Sequence, residues 1–176
     1  MAKWAVDKAH SHIGFEVKHM MVSKVKGSFD SYEANIEADD LTDLTTATIE
    51  FKIDVDSIDT RNEDRDNHLK SDEFFDVEKY PTIEFKSTNI KKEDDDEYEV
   101  TGDLTIKGIT KQVTFDVEYG GKGKNPWGVD VYGFEAEAKI DREQFGLTWN
   151  APLETGGVLV GKEVKIKLEL EINPAE

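Results

Sequence analysis

Apolar and polar residues alternate with a period of two along most of this chain, and this alternation constrains the fold more than any other feature. A period of two places every second side chain on the same face of an extended strand, and helical spacing fits none of the alternating runs. The pattern predicts antiparallel strands with one face in the core and the other in water. Six runs show it: residues 13–19, 49–55, 100–106, 113–119, 134–140 and 164–172.

Clusters of turn-forming residues separate the predicted strands. The acidic stretch 93–97 indicates a solvated hairpin tip, and residues 107–108 indicate a tight turn. The glycine-rich segment 120–126 predicts a longer loop. Between residues 25 and 38 the apolar positions change parity, which predicts a bulge or bend near residues 30–31.

One segment departs from the alternation and predicts a short helix. Thr60 and Glu63 have the spacing of a capping box, with Thr60 as the N-cap. Residues 61–70 contain no glycine, proline or β-branched residue, so we expect a helical insertion over about residues 61–76. Its bulky apolar residues predict that it packs over one end of the sheet: Leu69, Phe74, Phe75 and Tyr80.

The predicted strands must bury their apolar faces, and a closed barrel or a two-sheet sandwich would do so. Several strands extend over about 10–14 residues, which exceeds the usual length in a sandwich and favours the barrel. Neither a linker nor an internal repeat divides the 176 residues, so a single domain over residues 1–176 is predicted. The expected fold is all-β: an extended antiparallel barrel of about eight strands with the helical insertion at one end.

Small residues on the predicted inner face bear on whether the barrel is hollow. Gly102, Ala136 and Ala138 stand where a packed barrel would prefer leucine or isoleucine, which suggests internal space. Small residues also serve strand curvature, so a filled barrel stays an open alternative. A 12-residue strand spans about 40 Å, and a tilted barrel of such strands could enclose a long, thin apolar molecule.

The composition excludes several classes of function. The chain has 22 lysines and arginines against 39 aspartates and glutamates, a formal net charge of −17, which predicts repulsion of nucleic acid and of anionic membrane surfaces. It has no cysteine, which excludes thiol catalysis and thiolate metal sites. No apolar run is long enough to span a membrane. The first ten residues lack the apolar region of a secretory leader, so a cytoplasmic location is expected.

Motifs for catalysis and metal binding are weak. His10 and His12 form an H-x-H pair, which on a strand would put both rings on one face, but no third ligand is evident. His19 shares the parity of the inner face, where a hydrogen-bonded core histidine is expected. Residues 156–162 approach a phosphate loop, but Glu163 stands where Mg²⁺ coordination needs serine or threonine. We therefore predict no catalytic residue, no metal ligand and no cofactor.

Five stretches resemble a known family. The two longest are DKAHSHIGFEVKHMMVSKVKGSF at residues 7–29 and DSIDTRNEDRDNHLKSDEFFDVEKYPTIEFKS at residues 56–87. The others are GDLTIKGITKQV at 102–113, DREQFGL at 141–147 and VGKEVKIKLELE at 160–171. Together they are similar, in the expected order and over nearly the whole chain, to the YceI family of polyisoprenoid-binding proteins.

This resemblance implies a lipocalin-like barrel whose lumen holds the apolar tail of an isoprenoid lipid, such as a quinone-related or polyprenyl molecule. It also implies a homodimer, because family members are often dimers. Many members are periplasmic with a cleaved leader, whereas this chain begins almost at the family motif. That difference favours an intracellular role.

The function predicted from these observations is non-catalytic binding of a long isoprenoid lipid, for storage, transport or sequestration. One alternative is an enzyme that uses the same cavity, with His10 or His19 as a base. Another is a filled barrel that acts in a stress response through protein contacts. The residues predicted to contact the lipid are Phe15, Val17, Phe51, Ile53, Phe85, Val113, Phe115 and Phe134 in the lumen, with Leu69, Phe74 and Phe75 at the rim.

Charged residues within the family motifs have two interpretations. Arg65 and Asp66 would pin the insertion to the barrel rim, and Asp103 would cap a turn. The other interpretation is that they gate the entrance for the ligand. The apolar residues of the insertion are equally open, since they would either form core beneath it or line the cavity mouth.

Overall fold

The computed structural model describes residues 2–150, 153 and 159–175, and its strands form one antiparallel sheet. The order across the sheet is β1-β4-β5-β7-β8-β9-β10-β11-β2-β3-β6, and β1 also pairs with β11. This additional pairing closes β1, β4, β5 and β7 to β11 into the predicted eight-stranded barrel. The strand bounds are β1 Ala2–Val6, β2 His12–His19, β3 Ser23–Phe29, β4 Tyr32–Ala38, β5 Thr48–Asp54, β6 Ile58–Asp59, β7 Thr82–Asp94, β8 Glu97–Ile106, β9 Ile109–Lys124, β10 Asp130–Asp141 and β11 Val160–Pro174.

Strand β11 carries two shorter strands end to end along one side. Its residues 160–169 pair with β2, and residues 172–174 pair with β1. Strands β3 and β4 continue the same arrangement, since β3 pairs with β2 and β4 pairs with β1. The predicted bend at residues 30–31 separates β3 from β4. The barrel is therefore a simple up-and-down meander. Its first strand consists of β1 and β2, which residues 7–11 separate, and its second strand consists of β3 and β4, which the bend separates.

Two of the predicted turns are confirmed and one is wrong. Residues 95–96 form the acidic tip between β7 and β8, and Lys107 and Gly108 form a tight turn with φ values of 52° and 75°. The predicted loop at 120–126 is instead mostly strand, because β9 continues to Lys124. A register shift opposite this segment and the positive φ of Gly121 (117°) show that the glycines accommodate a bulge within the strand.

The predicted helix is present, but its cap was assigned to the wrong residue. Helix α1 spans Glu63–Lys70, and its N-cap is Asn62, whose side chain accepts a hydrogen bond from the Arg65 amide at 3.1 Å. Asparagine is at least as good an N-cap as threonine, and it lies closer to the helix. Thr60 is buried upstream and bonds instead to Asp66. The insertion continues after the helix as the turns of residues 71–76.

The two ends of the barrel are closed differently. At the end that carries the β4–β5, β7–β8 and β9–β10 connections, here called the closed end, an apolar cluster closes the lumen. Leu41 and Tyr98 are almost fully buried there, and the Tyr98 hydroxyl donates to the carbonyl oxygen of Thr42 at 3.1 Å. At the other end, here called the α1 end, lie helix α1, the β2–β3 turn and the short 3₁₀ helix Arg142–Phe145.

Two inward glycines make room for aromatic rings and do not leave empty space. A Cβ atom added at Gly102 would lie 2.6 Å from Cζ of Phe85 and would overlap the carbonyl oxygen of Lys86. A Cβ atom at Gly27 would meet the Phe15 ring in the same way. The interpretation of Gly102 as a sign of vacant lumen was therefore wrong, because the ring of a neighbouring strand occupies its face.

We expect Gly102→Ala to lower the free energy of unfolding by about 1–3 kcal/mol, because the added methyl group forces Phe85 or the β7 backbone to move. Gly133→Ala is the matched control, since no atom lies within 4 Å of a Cβ at that strand position. The control should stay within about 1 kcal/mol of the wild type. Urea unfolding measures both, and equal stabilities of the two variants would contradict this account.

Candidate ligand cavity

An apolar cavity of about 330 Å³ lies inside the barrel. Its lining extends from Leu41 and Leu44 at the closed end to Leu69 and Trp149 at the α1 end, so it follows the barrel lengthwise. Its volume is within the range of small-molecule binding sites, towards the lower limit. The barrel is therefore hollow, and its lining suits an elongated apolar ligand.

Ten of the eleven residues predicted to contact a ligand line this cavity: Phe15, Val17, Phe51, Ile53, Leu69, Phe74, Phe75, Phe85, Phe115 and Phe134. The exception is Val113, which is buried in the core but lies outside the lining. Val113 pairs with Gly102, and the ring of Phe85 covers that glycine. Alternation therefore identified the inner face, but it could not tell which residues of that face line the cavity.

Strand β11 supplies further lining that was not selected from the sequence. Val164, Ile166, Leu168 and Leu170 alternate along it and all face the cavity. Their alternation was visible, so the signal was present. The predicted set, which included the aliphatic Val17, Ile53 and Val113, contained no residue of this strand.

Aromatic rings cover the cavity at the α1 end. The ring centroid of His68 lies 5.0 Å from that of Phe74 and 4.8 Å from that of Trp149, in edge-to-face geometry. The Phe74 and Trp149 centroids are 5.4 Å apart. Phe75 contacts Phe29 of β3 at 6.3 Å. The apolar residues of the insertion thus serve as core and as cavity lining at once.

Thr60 connects the insertion to the barrel. Its amide and its hydroxyl both donate to Oδ1 of Asp66. Arg65 donates from Nε to the Thr60 hydroxyl at 2.8 Å and from Nη2 to the Thr60 carbonyl oxygen at 2.6 Å. Arg65 and Asp66 therefore hold the insertion through Thr60 and not by pairing with each other. Asp103 is exposed within strand β8, so its predicted role as a turn cap was wrong.

Arg142 is a buried cation at the α1 end, only 3% exposed, and it also lines the cavity. Its guanidinium donates to the carbonyl oxygens of Gly161 (2.7 Å), Leu147, Trp149 (3.1 Å) and Val160 (3.3 Å). Burial lowers the pKa of this guanidinium. Arg142 thus ties the segment after β10 to the start of β11.

The histidines are distributed differently from the H-x-H prediction. His10 ends the 3₁₀ helix Lys8–His10, whereas His12 begins β2, so the two do not share a strand face. The Nδ1 atom of His10 lies 2.9 Å from Oδ2 of Asp7 and 3.3 Å from Oε2 of Glu171. These three side chains could together offer one nitrogen and two oxygen ligands to a metal ion. Their proximity depends on the pairing of β1 with β11, which the sequence did not reveal.

The structure also bears on two other candidates, His19 and the sequence that approaches a phosphate loop. His19 is half-buried and lines the cavity near the α1 end, on the predicted inner face. Of the sequence that approached a phosphate loop, residues 156–158 lie outside the described part of the chain, and residues 160–162 belong to strand β11. A strand offers no helix N-terminus to hold a phosphate.

Comparisons with known proteins agree with the fold described above. A family model described as YceI-like domain matches residues 4–172. A UPF0312 protein of Staphylococcus aureus strain USA300 is 45% identical over the full length of both chains. The crystal structure of BcnA from Burkholderia cenocepacia superposes with a TM-score of 0.81 at 28% identity, over 94% of this chain and 98% of BcnA.

A polyisoprenoid-binding domain from Saccharophagus degradans, implicated in plant cell wall breakdown, has the same fold. It superposes with a TM-score of 0.71 over 99% of this chain and all of the domain, at 13% identity.

Among the described residues, no helix has both the length and the apolarity needed to cross a lipid bilayer.

The hydrogen bond to Asp7, together with the charges of Asp7 and Glu171, raises the pKa of His10 above its ordinary 6.5. The bond to His10 lowers the pKa of Asp7. The contribution of the charged pair to stability is therefore fully present between the ordinary pKa of Asp7, 3.8, and that of His10, 6.5. It disappears as the pH falls through the lowered pKa of Asp7 or rises through the raised pKa of His10. An NMR titration of His10 should give a pKa above 6.5 in the wild type and a lower one in Asp7→Asn. A pKa unchanged by that substitution would contradict the assignment.

Proposed function

The chain belongs to the YceI family, and from this premise we propose that it binds a long isoprenoid lipid in the barrel cavity without catalysing a reaction. The observation that carries the proposal is the apolar cavity, whose lining runs from one end of the barrel to the other. A long hydrocarbon chain is the kind of ligand that fits such a space. The family membership and the polyisoprenoid-binding domain of the same fold support the choice of an isoprenoid.

Burial of apolar surface would provide most of the affinity. Removing about 300 Å² of a lipid tail from water contributes about 7.5 kcal/mol at about 25 cal/mol per Å². Part of this gain is offset by the lost freedom of the bound lipid. Among the described residues, those that line the cavity around Leu41 and Leu44 at the closed end are apolar, so they favour a hydrocarbon tail over a polar group.

The lining also suggests an orientation for the lipid. The cationic and imidazole side chains of the cavity, including Arg65, His68 and Arg142, lie at the α1 end. A polar head group would therefore be placed there, and the isoprenoid tail would extend towards Leu41 and Leu44.

A cytoplasmic location and a homodimer belong to the same proposal, and light scattering of the purified protein tests the dimer.

Organic extraction followed by mass spectrometry is the direct test. We expect protein purified without detergent to yield a lipid with a prenyl chain, in an amount that approaches one molecule per barrel. Loading of the lipid-free protein with a polyprenyl alcohol is the second measurement. The absence of both an extractable prenyl lipid and uptake of the alcohol would overturn the proposal, and chemical conversion of the alcohol would favour the enzymatic alternative.

Ala136→Phe should reduce lipid content severalfold, because the added ring occupies the cavity that Ala136 lines. Glu135→Phe is the matched control, since it adds the same ring to the same strand on the exposed outer face. Phe115→Glu should also abolish lipid retention by placing a carboxylate in the lumen. Circular dichroism confirms folding of each variant, and wild-type lipid content in folded Ala136→Phe or Phe115→Glu would refute the cavity as the binding site.

A further inference from the structure

We propose that Asp7, His10 and Glu171 bind a divalent transition-metal ion on the outer surface of the barrel, with Zn²⁺ as the ion that fits best. None of the three residues lines the cavity, so the proposal goes beyond lipid binding and does not depend on it. Two features of the described residues carry it: the spacing of the three ligand atoms, and a buried hydroxyl group beside them that makes no hydrogen bond. The sequence alone predicted no metal ligand, because Glu171 is far from His10 along the chain.

The three ligand atoms are close to the spacing that a zinc ion requires. Nδ1 of His10 lies 2.9 Å from Oδ2 of Asp7 and 3.3 Å from Oε2 of Glu171, and all three atoms lie within 4.8 Å of one another. Zinc binds nitrogen and oxygen at about 2.0–2.2 Å in tetrahedral geometry, which places its ligand atoms about 3.3 Å apart. Small rotations of the side chains would therefore bring the three atoms into position around an ion.

Hydrogen bonds orient the two carboxylates. The Asp7 amide donates to the carbonyl oxygen of Glu171 at 2.8 Å, and the Glu171 amide donates to Oγ of Ser11 at 3.0 Å. The Ala9 amide donates to Oδ1 of Asp7 at 3.0 Å, so that Oδ2 faces His10. Contacts of this kind hold the ligands of metal sites in place and strengthen binding. The site is therefore organised before an ion enters.

The charges at the site favour a divalent cation. Asp7 and Glu171 supply two carboxylates, and within the described part of the chain neither forms an ion pair with a lysine or an arginine. A proton on His10 compensates one of these charges. A divalent ion bound to the neutral imidazole would compensate both, with release of that proton.

A buried tyrosine hydroxyl beside the site lacks a partner. Tyr32 is 5% exposed, and its hydroxyl group makes no hydrogen bond to any described residue. Burial and the charge of Asp7 raise the pKa of Tyr32, while Ser11, beside the hydroxyl but outside hydrogen-bonding geometry, acts in the opposite direction. The hydroxyl therefore lies on the side of Asp7 and Ser11. A water molecule bound to the ion would give this buried group the partner that such groups usually have.

The types of ligand select a transition metal. Mg²⁺ and Ca²⁺ are bound mainly by oxygen atoms, whereas imidazole suits zinc, copper, iron and nickel. The chain has no cysteine, whose thiolate would select a softer ion. One nitrogen and two oxygen ligands from the protein leave the fourth position of a tetrahedral zinc ion open to water.

The surroundings keep that fourth position accessible. Glu171 pairs with Gly133 of β10, and Gly133 pairs with Gly121 of β9. No atom lies within 4 Å of a Cβ added at either glycine, and both glycines line a shallow depression on the outer face together with Glu171. The His10 side chain is 68% exposed. An ion could therefore enter from solvent and exchange with it.

A bound ion would reinforce the barrel where its first strand is interrupted. Residues 7–11 separate β1 from β2, and both of these strands pair with β11. Asp7 and His10 belong to the interruption, whereas Glu171 belongs to β11. The ion would join the two, so zinc should raise the temperature of thermal unfolding as the site fills.

Isothermal titration calorimetry of metal-free protein that carries no polyhistidine tag tests the proposal. We expect one Zn²⁺ to bind per chain and an excess of Mg²⁺ not to compete with it. His10→Gln should lower the affinity by more than about 100-fold, since loss of a ligand should exceed the effect of losing an outer contact. His12→Gln is the matched control, because His12 is also exposed but forms no ion pair among the described residues. The absence of zinc binding by the wild type, or equal affinities of His10→Gln and the wild type, would overturn the proposal.

Two further measurements locate the ion. In ¹⁵N NMR spectra of the imidazoles, Zn²⁺ should shift Nδ1 of His10 and leave the signals of His12, His19 and His68 in place. Tyr32→Phe should weaken zinc binding about tenfold, as the loss of an outer contact does. Without metal this variant should unfold at the wild-type temperature or above, because it loses an unpaired buried hydroxyl. A shift at another histidine in place of His10, or wild-type affinity in Tyr32→Phe, would contradict the site described.

Discussion

Closure of the sheet depends on the length of strand β11, and the cavity depends on that closure. β11 pairs with β10 along one edge, and with β2 and then β1 along the other. A shorter strand could not contact both segments, and the sheet would then keep an open edge. Because closure removes the edges, the inner face can remain apolar and partly empty without exposing unpaired backbone groups.

A hollow barrel also requires ends that exclude water, and this chain closes its ends by different means. Large apolar and aromatic side chains fill the closed end, where Leu41 is fully buried. The α1 end is covered by an inserted segment that hydrogen bonds hold through Thr60. Packing of side chains cannot easily be rearranged, whereas a cover tethered at a few points can move. Under the proposed function, a lipid would therefore enter at the α1 end.

The features that the sequence predicted correctly are local, and those that it missed depend on contacts between distant residues. An alternation with a period of two can be recognised within a single run of about seven residues. The inner faces of the strands and most of the cavity lining therefore followed from the sequence. Arg142 contacts residues up to 19 positions away, and His10 approaches Glu171 only because β1 lies beside β11. Whether an inner-face residue such as Val113 lines the cavity depends on the packing of side chains from other strands. None of these has a periodic signal.

The net charge illustrates the same distinction between an average and an arrangement. The value of −17 predicts repulsion from anionic membranes, and for the closed end that prediction is physically sound. A barrel several screening lengths long presents its two ends as separate electrostatic surfaces. Here the arrangement puts carboxylates at both of them, in the turns 39–43 and 93–97 at the closed end and in residues 56–79 at the α1 end, where nine carboxylates stand against four cationic side chains, so the predicted repulsion extends to the α1 end.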